Sequence, residues 1–175
     1  LWASRGEARA PLTRRDWTAL AALGIGGYYL AALLDFLGLQ YISAGLERLV
    51  LFLYPTFTVL ITALWLKRPV TRRTWIAIAI SYAGMALVVW PDLQHSSRGL
   101  FLGTTLVLGS ALTYAVYLVG SGEMIPRLGA NRFTSLALGI ACVVAGMQFA
   151  LTHPLSSLTG LSPRAWGLGL ILAVV

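Results

Sequence analysis

The chain of 175 residues contains 58% hydrophobic and 11% charged residues, with a net charge of +7 and a mean hydropathy of +0.78. Soluble globular proteins have about a quarter of their residues charged, so this composition excludes an ordinary soluble domain and indicates a membrane protein. The basic residues lie between apolar stretches rather than in one patch, which argues against nucleic-acid binding. A single cysteine excludes an intrachain disulfide.

Six apolar stretches follow one another with short connections. Because a hydrocarbon core of about 30 Å requires about 20 residues of helix, the first five are predicted to span a bilayer and the sixth to be a truncated span. Small residues four positions apart, such as Gly27 and Ala31, predict close contacts between helices. There is no initiator methionine, so we expect part of a longer chain. The stretches are 16–39, 44–66, 74–90, 100–117, 133–152 and 166–175.

The connections differ in charge between the two sides of the predicted membrane. One side carries ten basic residues, namely Arg5, Arg9, Arg14, Arg15, Lys67, Arg68, Arg72, Arg73, Arg127 and Arg132. The opposite side carries Arg98 and Arg164. The positive-inside rule therefore predicts that the richer side faces the cytoplasm.

The openings of the first and sixth stretches resemble each other. Residues 12–17 read LTRRDW and residues 161–166 read LSPRAW, which places Trp17 and Trp166 149 positions apart. A repeat of that length contains five helices, and an odd number makes the second unit enter the membrane inverted. The alternative is a chance match, because Arg and Trp both favour membrane interfaces.

Three charged residues lie near the connection between the first two stretches. A charge at mid-membrane costs about 2.5 to 3.5 kcal/mol, so such residues need partners or must reach an interface. Asp35 and Arg48 are equidistant from the turn at 40–43, and we predict that they pair, leaving Glu47 as an uncompensated acid. The alternative is that all three extend to the outer surface.

The second stretch has one polar face. Lipid cannot satisfy polar groups, so this face is predicted to turn towards the bundle interior or a water-filled cavity. Pro55 removes a backbone bond to Leu51 and should bend the helix, which either widens a cavity or serves packing. The residues of this face are Glu47, Arg48, Tyr54, Pro55, Thr58 and Thr62, with Thr56 outside it.

The fourth stretch has a similar face, formed by Ser110, Thr113, Tyr114, Tyr117 and Ser121. Two such faces could line one pathway. The alternative is that the hydroxyls bond across helices or back to carbonyls of their own helix.

Several runs of the chain resemble EamA-type transporters of the drug/metabolite transporter superfamily. The runs at 37–48, 53–56 and 67–68 are similar to the third and fourth helices of that family, those at 75–84 to the fifth, and those at 109–117 to the sixth. The resemblance covers nearly all of residues 13–175. One departure is Lys67-Arg68-Pro69, where family members often carry an acid, so any role of that acid does not transfer to this chain.

The resemblance implies ten helices in two inverted halves around a central substrate cavity lined partly by helices three, four, six and eight. Residues 1–92 would then hold helices three to five of the first repeat, and residues 98–175 helices six to eight of the second. Members of the family move small metabolites, often outward, across the bacterial inner membrane.

We therefore expect an all-α polytopic membrane protein, a fragment of about six helices from a ten-helix inverted-repeat transporter. Its expected activity is export of small organic metabolites such as amino acids across the bacterial inner membrane by alternating access. The candidate cavity residues are Tyr54, Thr58, Ser110, Tyr114 and Tyr117. Asp35, Glu47 and Arg48 are candidates for an ion pair, for proton coupling or for contact with a cargo amine.

The expected partners are the lipid bilayer and a small-molecule substrate, with a homodimer left open. No enzyme activity, cofactor, metal site or nucleic-acid partner is expected, because His95 and His153 lie in predicted loops without a nucleophile or metal-ligand cluster. The alternative function is a non-transporting membrane scaffold or regulatory subunit, whose polar faces only hold helices together.

Overall fold

The computed structural model describes residues 11–89 and 99–154, together with Ser162, Arg164, Gly167 and Leu168. All regular secondary structure in these residues is helical, which confirms the predicted all-α class. The predicted stretches at 100–117 and 133–152 lie within described helices, and those at 16–39 and 44–66 each extend one residue past the end of a helix. The end of the third stretch, Trp90, and nearly all of the sixth, 166–175, lie outside the described residues, as does His95.

The first helix, α1, runs over Arg14–Gly38 and is irregular at its centre. Two α-helical segments, Arg14–Gly24 and Ala31–Gly38, flank a π-helical segment, Ile25–Leu30. The helix begins at a capping box, in which the Thr13 hydroxyl accepts from the backbone N–H of Asp16 and the Asp16 carboxylate accepts from the backbone N–H of Thr13. α1 therefore begins at a capped residue and has a π-helical segment at its centre.

The second helix, α2, runs over Ala44–Trp65 and is broken. Ser43 caps its first half, Ala44–Leu51, and its second half is Tyr54–Trp65. Pro55 has no N–H to donate to Leu51, so the regular bond pattern ends at the intervening Phe52–Leu53 turn. The predicted effect of Pro55 on this helix is confirmed as a break.

Three further helices follow in the described residues. They are α3 (Arg72–Val89), α4 (Leu100–Leu128) and α5 (Ala130–Thr152). α4 extends well beyond the predicted end at Tyr117, because the polar residues after it continue the same helix until Gly129, whose φ of 80° is accessible to glycine. Among the described residues, α1, α2, α4 and α5 are long and apolar enough to cross a membrane by length and composition.

α4 packs along both α1 and α2. Its contact with α1 is close because glycines replace bulky side chains: a Cβ on Gly38 would lie 2.5 Å from Val107, and one on Gly103 would lie 2.7 Å from Ile42. The outer surface carries large apolar side chains such as Leu64, Leu87 and Phe101, all strongly exposed. Exposed apolar faces of this kind suit contact with lipid.

The bundle of α1, α2 and α4 has two ends that differ in their residues. The hairpin end holds the α1–α2 connection and the start of α4, where Tyr41 and Ile42 lie against Gly99 and Gly103. The basic end holds the start of α1, the residues after α2 and the last turns of α4, where Arg68 and Arg127 lie.

Candidate functional site

Four tyrosines from three helices meet about halfway along the bundle and form the tyrosine cluster: Tyr28 of α1, Tyr54 of α2, and Tyr114 and Tyr117 of α4. The ring centroids are 4.8 Å apart for Tyr28 and Tyr117, and 5.2 Å apart for Tyr54 and Tyr114. Tyr114 and Tyr117 stack at 5.9 Å, so α4 links the α1 side of the cluster to the α2 side. Aromatic faces combined with a few hydroxyls are typical of pockets for small organic molecules.

Tyr117 is the fixed member of the cluster. Its hydroxyl donates to that of Tyr28 at 2.8 Å, its ring packs 6.0 Å from Phe133, and only 7% of the residue is exposed. The space it occupies exists because residue 27 is glycine, since a Cβ there would lie 2.2 Å from Tyr117 Cβ. Tyr54 and Tyr114, in contrast, are half-buried.

Both irregular helix segments contribute to the tyrosine cluster. Tyr28 lies in the π-helical segment of α1, and Tyr54 is the first residue after the break in α2. π-helical turns are frequent at functional sites, and discontinuous membrane helices bring backbone polar groups to sites near mid-membrane. The cluster therefore combines aromatic side chains with the two places where the backbone departs from a regular helix.

The structure brings together three of the five predicted cavity residues, Tyr54, Tyr114 and Tyr117. The hydroxyl of Thr58 donates back to Tyr54 O at 2.8 Å. That of Ser110, a residue 2% exposed, donates to Ala31 O at 2.8 Å across the α1–α4 contact. These two hydroxyls therefore agree with the alternative interpretation, in which hydroxyls bond across helices or back to carbonyls of their own helix.

Tyr28 was not predicted from the sequence. The signal that could have identified it is the run Gly26-Gly27-Tyr28-Tyr29 in the middle of an apolar stretch. Two glycines allow another helix to approach, and a polar ring next to them at half depth needs a partner.

The predicted pair between Asp35 and Arg48 is wrong. Arg48 Nε lies 3.2 Å from Glu47 Oε2, with the Arg48 side chain 71% exposed and that of Glu47 1% exposed. Equal distance from a turn sets the depth of two residues but not their direction, and consecutive helical residues point about 100° apart. Glu47 therefore turns inward, close to Asp35, while Arg48 points outward.

At the basic end, α4 forms ion pairs with the elements on either side of it. Arg127 donates to the buried Asp16 of α1, which also accepts from the Thr13 hydroxyl at 2.7 Å. Arg68, after α2, lies 3.0 Å from Glu123, with both side chains largely exposed. Sequence reasoning missed both pairs because their partners lie in the part of α4 beyond its apolar stretch.

No group of three or more His, Cys, Asp or Glu residues that could hold a metal ion occurs in the part of the chain that the structure describes. Within those residues, the chemistry available for binding is the tyrosine cluster and the carboxyl groups of Asp35 and Glu47. The first suits a small organic molecule and the second suits a proton or an amine.

Comparison with known proteins gives a consistent result. The sequence profile described as the EamA-like transporter family matches residues 1–90. The uncharacterized transporter YcbK of Bacillus subtilis (strain 168) is 29% identical over 166 residues, which cover 91% of this chain and 52% of that protein.

Two further relatives are more distant. An uncharacterized transporter of Archaeoglobus fulgidus is 25% identical over 74% of this chain and 45% of its own length. The uncharacterized transporter sll1319 of Synechocystis sp. is 24% identical over 82% of this chain and 45% of its own length. The chain thus spans about half the length of the curated relatives it matches, and no solved structure matches it.

Proposed function

Because the chain belongs to the EamA-like transporter family and is a multi-pass membrane protein, we propose that the complete protein exports small organic metabolites such as amino acids by alternating access. The observation that carries the proposal is the tyrosine cluster, which lies at half depth and includes residues from both irregular helices. Transporter sites typically lie near mid-membrane at such discontinuities.

We also propose an orientation and a division of the chain. The basic end faces the cytoplasm of a bacterial inner membrane, in agreement with the positive-inside rule. Residues 1–92 and 98–175 belong to two inverted repeats, and the family match, which ends at residue 90, supports a boundary there.

In this proposal the tyrosines have different tasks. Tyr54 and Tyr114 are half-buried and face each other across the α2–α4 contact, so they contact the substrate. Tyr28 and Tyr117 hold α4 in place through their hydroxyl bond. Thr58 and Ser110 support the backbone of the site, while Asp35, Glu47 and Arg48 form a separate charged group at the hairpin end.

A second candidate function is the non-transporting scaffold or regulatory subunit. One observation favours it, namely that the rings of Tyr54 and Tyr114 touch directly, as expected where two helices only pack. In that case the tyrosine cluster joins helices and binds no substrate.

Transport measurements on the complete protein in proteoliposomes distinguish these functions. Vesicles preloaded with a panel of radiolabelled amino acids should release at least one of them in a protein-dependent manner. Tyr54→Ala and Tyr114→Ala should each reduce that rate about tenfold, which corresponds to a loss of about 1.4 kcal/mol of interaction.

The matched control is Tyr29→Ala, which removes a tyrosine from the same π-helical segment but outside the tyrosine cluster. It should leave the rate unchanged. Absence of release across the panel would favour the scaffold, and normal release by both cluster variants would remove the tyrosines from the substrate site.

A further inference from the structure

Two acidic residues, Asp35 of α1 and Glu47 of α2, form a carboxyl pair at the hairpin end, where Glu47 is buried and Asp35 is half-buried. Asp35 belongs to the last segment of α1 and Glu47 to the first turn of α2. The Glu47 side chain is 1% exposed. Among the described residues, Glu47 Oε1, Glu47 Oε2 and Asp35 Oδ1 are buried and accept no hydrogen bond. Buried polar atoms without a partner are rare in native proteins and call for a bound species that satisfies them.

Arg48 is the basic residue that contacts this pair in the part of the chain that the structure describes. The exposed side chain of Arg48 contacts Glu47 through its Nε atom, but the two groups do not form a hydrogen bond. The described residues of α3 and α4 at the hairpin end include no Asp, Glu, Lys, Arg or His, and Tyr82 is the titratable side chain there. Counted over the described residues, the two carboxyl groups therefore share one largely exposed arginine.

The unpartnered oxygens of these two neighbouring acids identify what is missing. Asp35 is the acidic neighbour of Glu47, and three of their four carboxyl oxygens are buried without a hydrogen-bond partner. Two ionised carboxylates are acceptors only and repel each other, whereas a carboxyl group and a carboxylate can share a hydrogen. One proton would satisfy an oxygen of each residue and reduce the charge of the pair to −1, which Arg48 then neutralises.

We propose that Asp35 and Glu47 hold one exchangeable proton between them. The proton makes an O–H···O⁻ bond between the two carboxyl groups, and it leaves as H⁺ when they separate.

The position of the pair gives it a role in the proposed transport cycle, and this role rests on the proposed function. Glu47 and Tyr54 are seven residues apart, about 10 Å along a helix, with the Phe52–Leu53 break between them. Movement of the first half of α2 relative to α1 separates the carboxyl groups and releases the proton. In this proposal the Phe52–Leu53 break acts as a hinge, with the proton site on one side of it and the tyrosine cluster on the other.

Infrared spectroscopy tests the proposal without a transport assay. The complete protein in lipid nanodiscs, in the absence of substrate, should show the C=O stretching band of a protonated carboxyl group at pH 7. Glu47→Gln should remove this band. The control Glu123→Gln, which changes an exposed carboxylate of the basic end, should leave it unchanged.

If Glu47→Gln does not yield folded protein, Asp35→Asn replaces it and should remove or shift the same band. The proposal is overturned if the wild type lacks the band, if both variants keep it unchanged, or if the pair is ionised and sodium ions occupy it. The spectra and the transport assay fail independently, because the first are recorded without substrate. Release of amino acids by Glu47→Gln with unchanged pH dependence would remove the coupling role.

Discussion

α4 meets α1 and α2 through different kinds of contact. On the α1 side, glycines of one helix lie against side chains of the other. The Ser110 hydroxyl also donates to the backbone carbonyl of Ala31, and the buried Asp16 forms an ion pair with Arg127. On the α2 side, the contacts include an edge-on pair of rings and an exposed ion pair, and none of the twelve residues of Tyr54–Trp65 is buried. Buried contacts therefore hold α1 against α4, whereas the second half of α2 meets α4 through half-buried and exposed groups.

The largest effect is expected where α1 and α4 approach most closely. Gly27→Ala places a Cβ 2.2 Å from Tyr117 Cβ, so the helices must shift, at a cost of about 3 kcal/mol in the free energy of unfolding. Gly26→Ala is the matched control, because a Cβ at that position meets no atom within 4 Å. Denaturant unfolding of the complete protein in detergent measures both, and an equal effect of the two changes would contradict a tight α1–α4 contact.

The second-largest loss of stability is expected from breaking an ion pair at the basic end, and the two pairs there should differ. Asp16→Asn removes a buried carboxylate that accepts from Thr13 and Arg127, and it should cost about 2 kcal/mol of stability. Glu123→Gln breaks the exposed pair with Arg68 and should cost about 0.5 kcal/mol, an effect that high salt removes. Equal losses in both variants would mean that α2 is held as firmly as α1 at this end.

The smallest effect concerns the hydroxyl of Ser110. Ser110→Ala removes the hydrogen bond that the Ala31 carbonyl accepts across the α1–α4 contact, and it should lower the free energy of unfolding by about 1 kcal/mol while transport continues. The control is Thr113→Val, because the Thr113 hydroxyl bonds only to carbonyls of its own helix among the described residues. A loss of transport without a loss of stability in Ser110→Ala would restore Ser110 to the cavity wall.

The helices could be predicted because each one depends mainly on the residues within its own segment. A run of about 20 apolar residues specifies a membrane helix whatever surrounds it, and Pro55 breaks a helix through its own missing N–H. The meeting of Tyr54, Tyr114 and Tyr117 was predictable for a similar reason, since a polar face in lipid has to turn inward.

Other features depend on how helices are rotated against each other, which a single sequence does not specify. The direction of Arg48 follows from which face of α2 contacts α1, so a prediction from depth alone failed. The partners of Asp16 and Arg68 required α4 to continue to Leu128, beyond the end of its apolar stretch. The contact of Tyr28 with Tyr117 depends on the π-helical segment, and the run Gly26-Gly27-Tyr28-Tyr29 indicates a close approach there but not the partner.

The π-helical segment of α1 changes which residues face α4 on its two sides. A π turn contains about one residue more than an α turn. Each residue that follows the turn therefore occupies the position that its predecessor would take in an uninterrupted α-helix, which lies about 100° away around the axis. Asp16 and Gly38, the buried residues at opposite ends of α1, can thus both face the interior although one surplus residue lies between them.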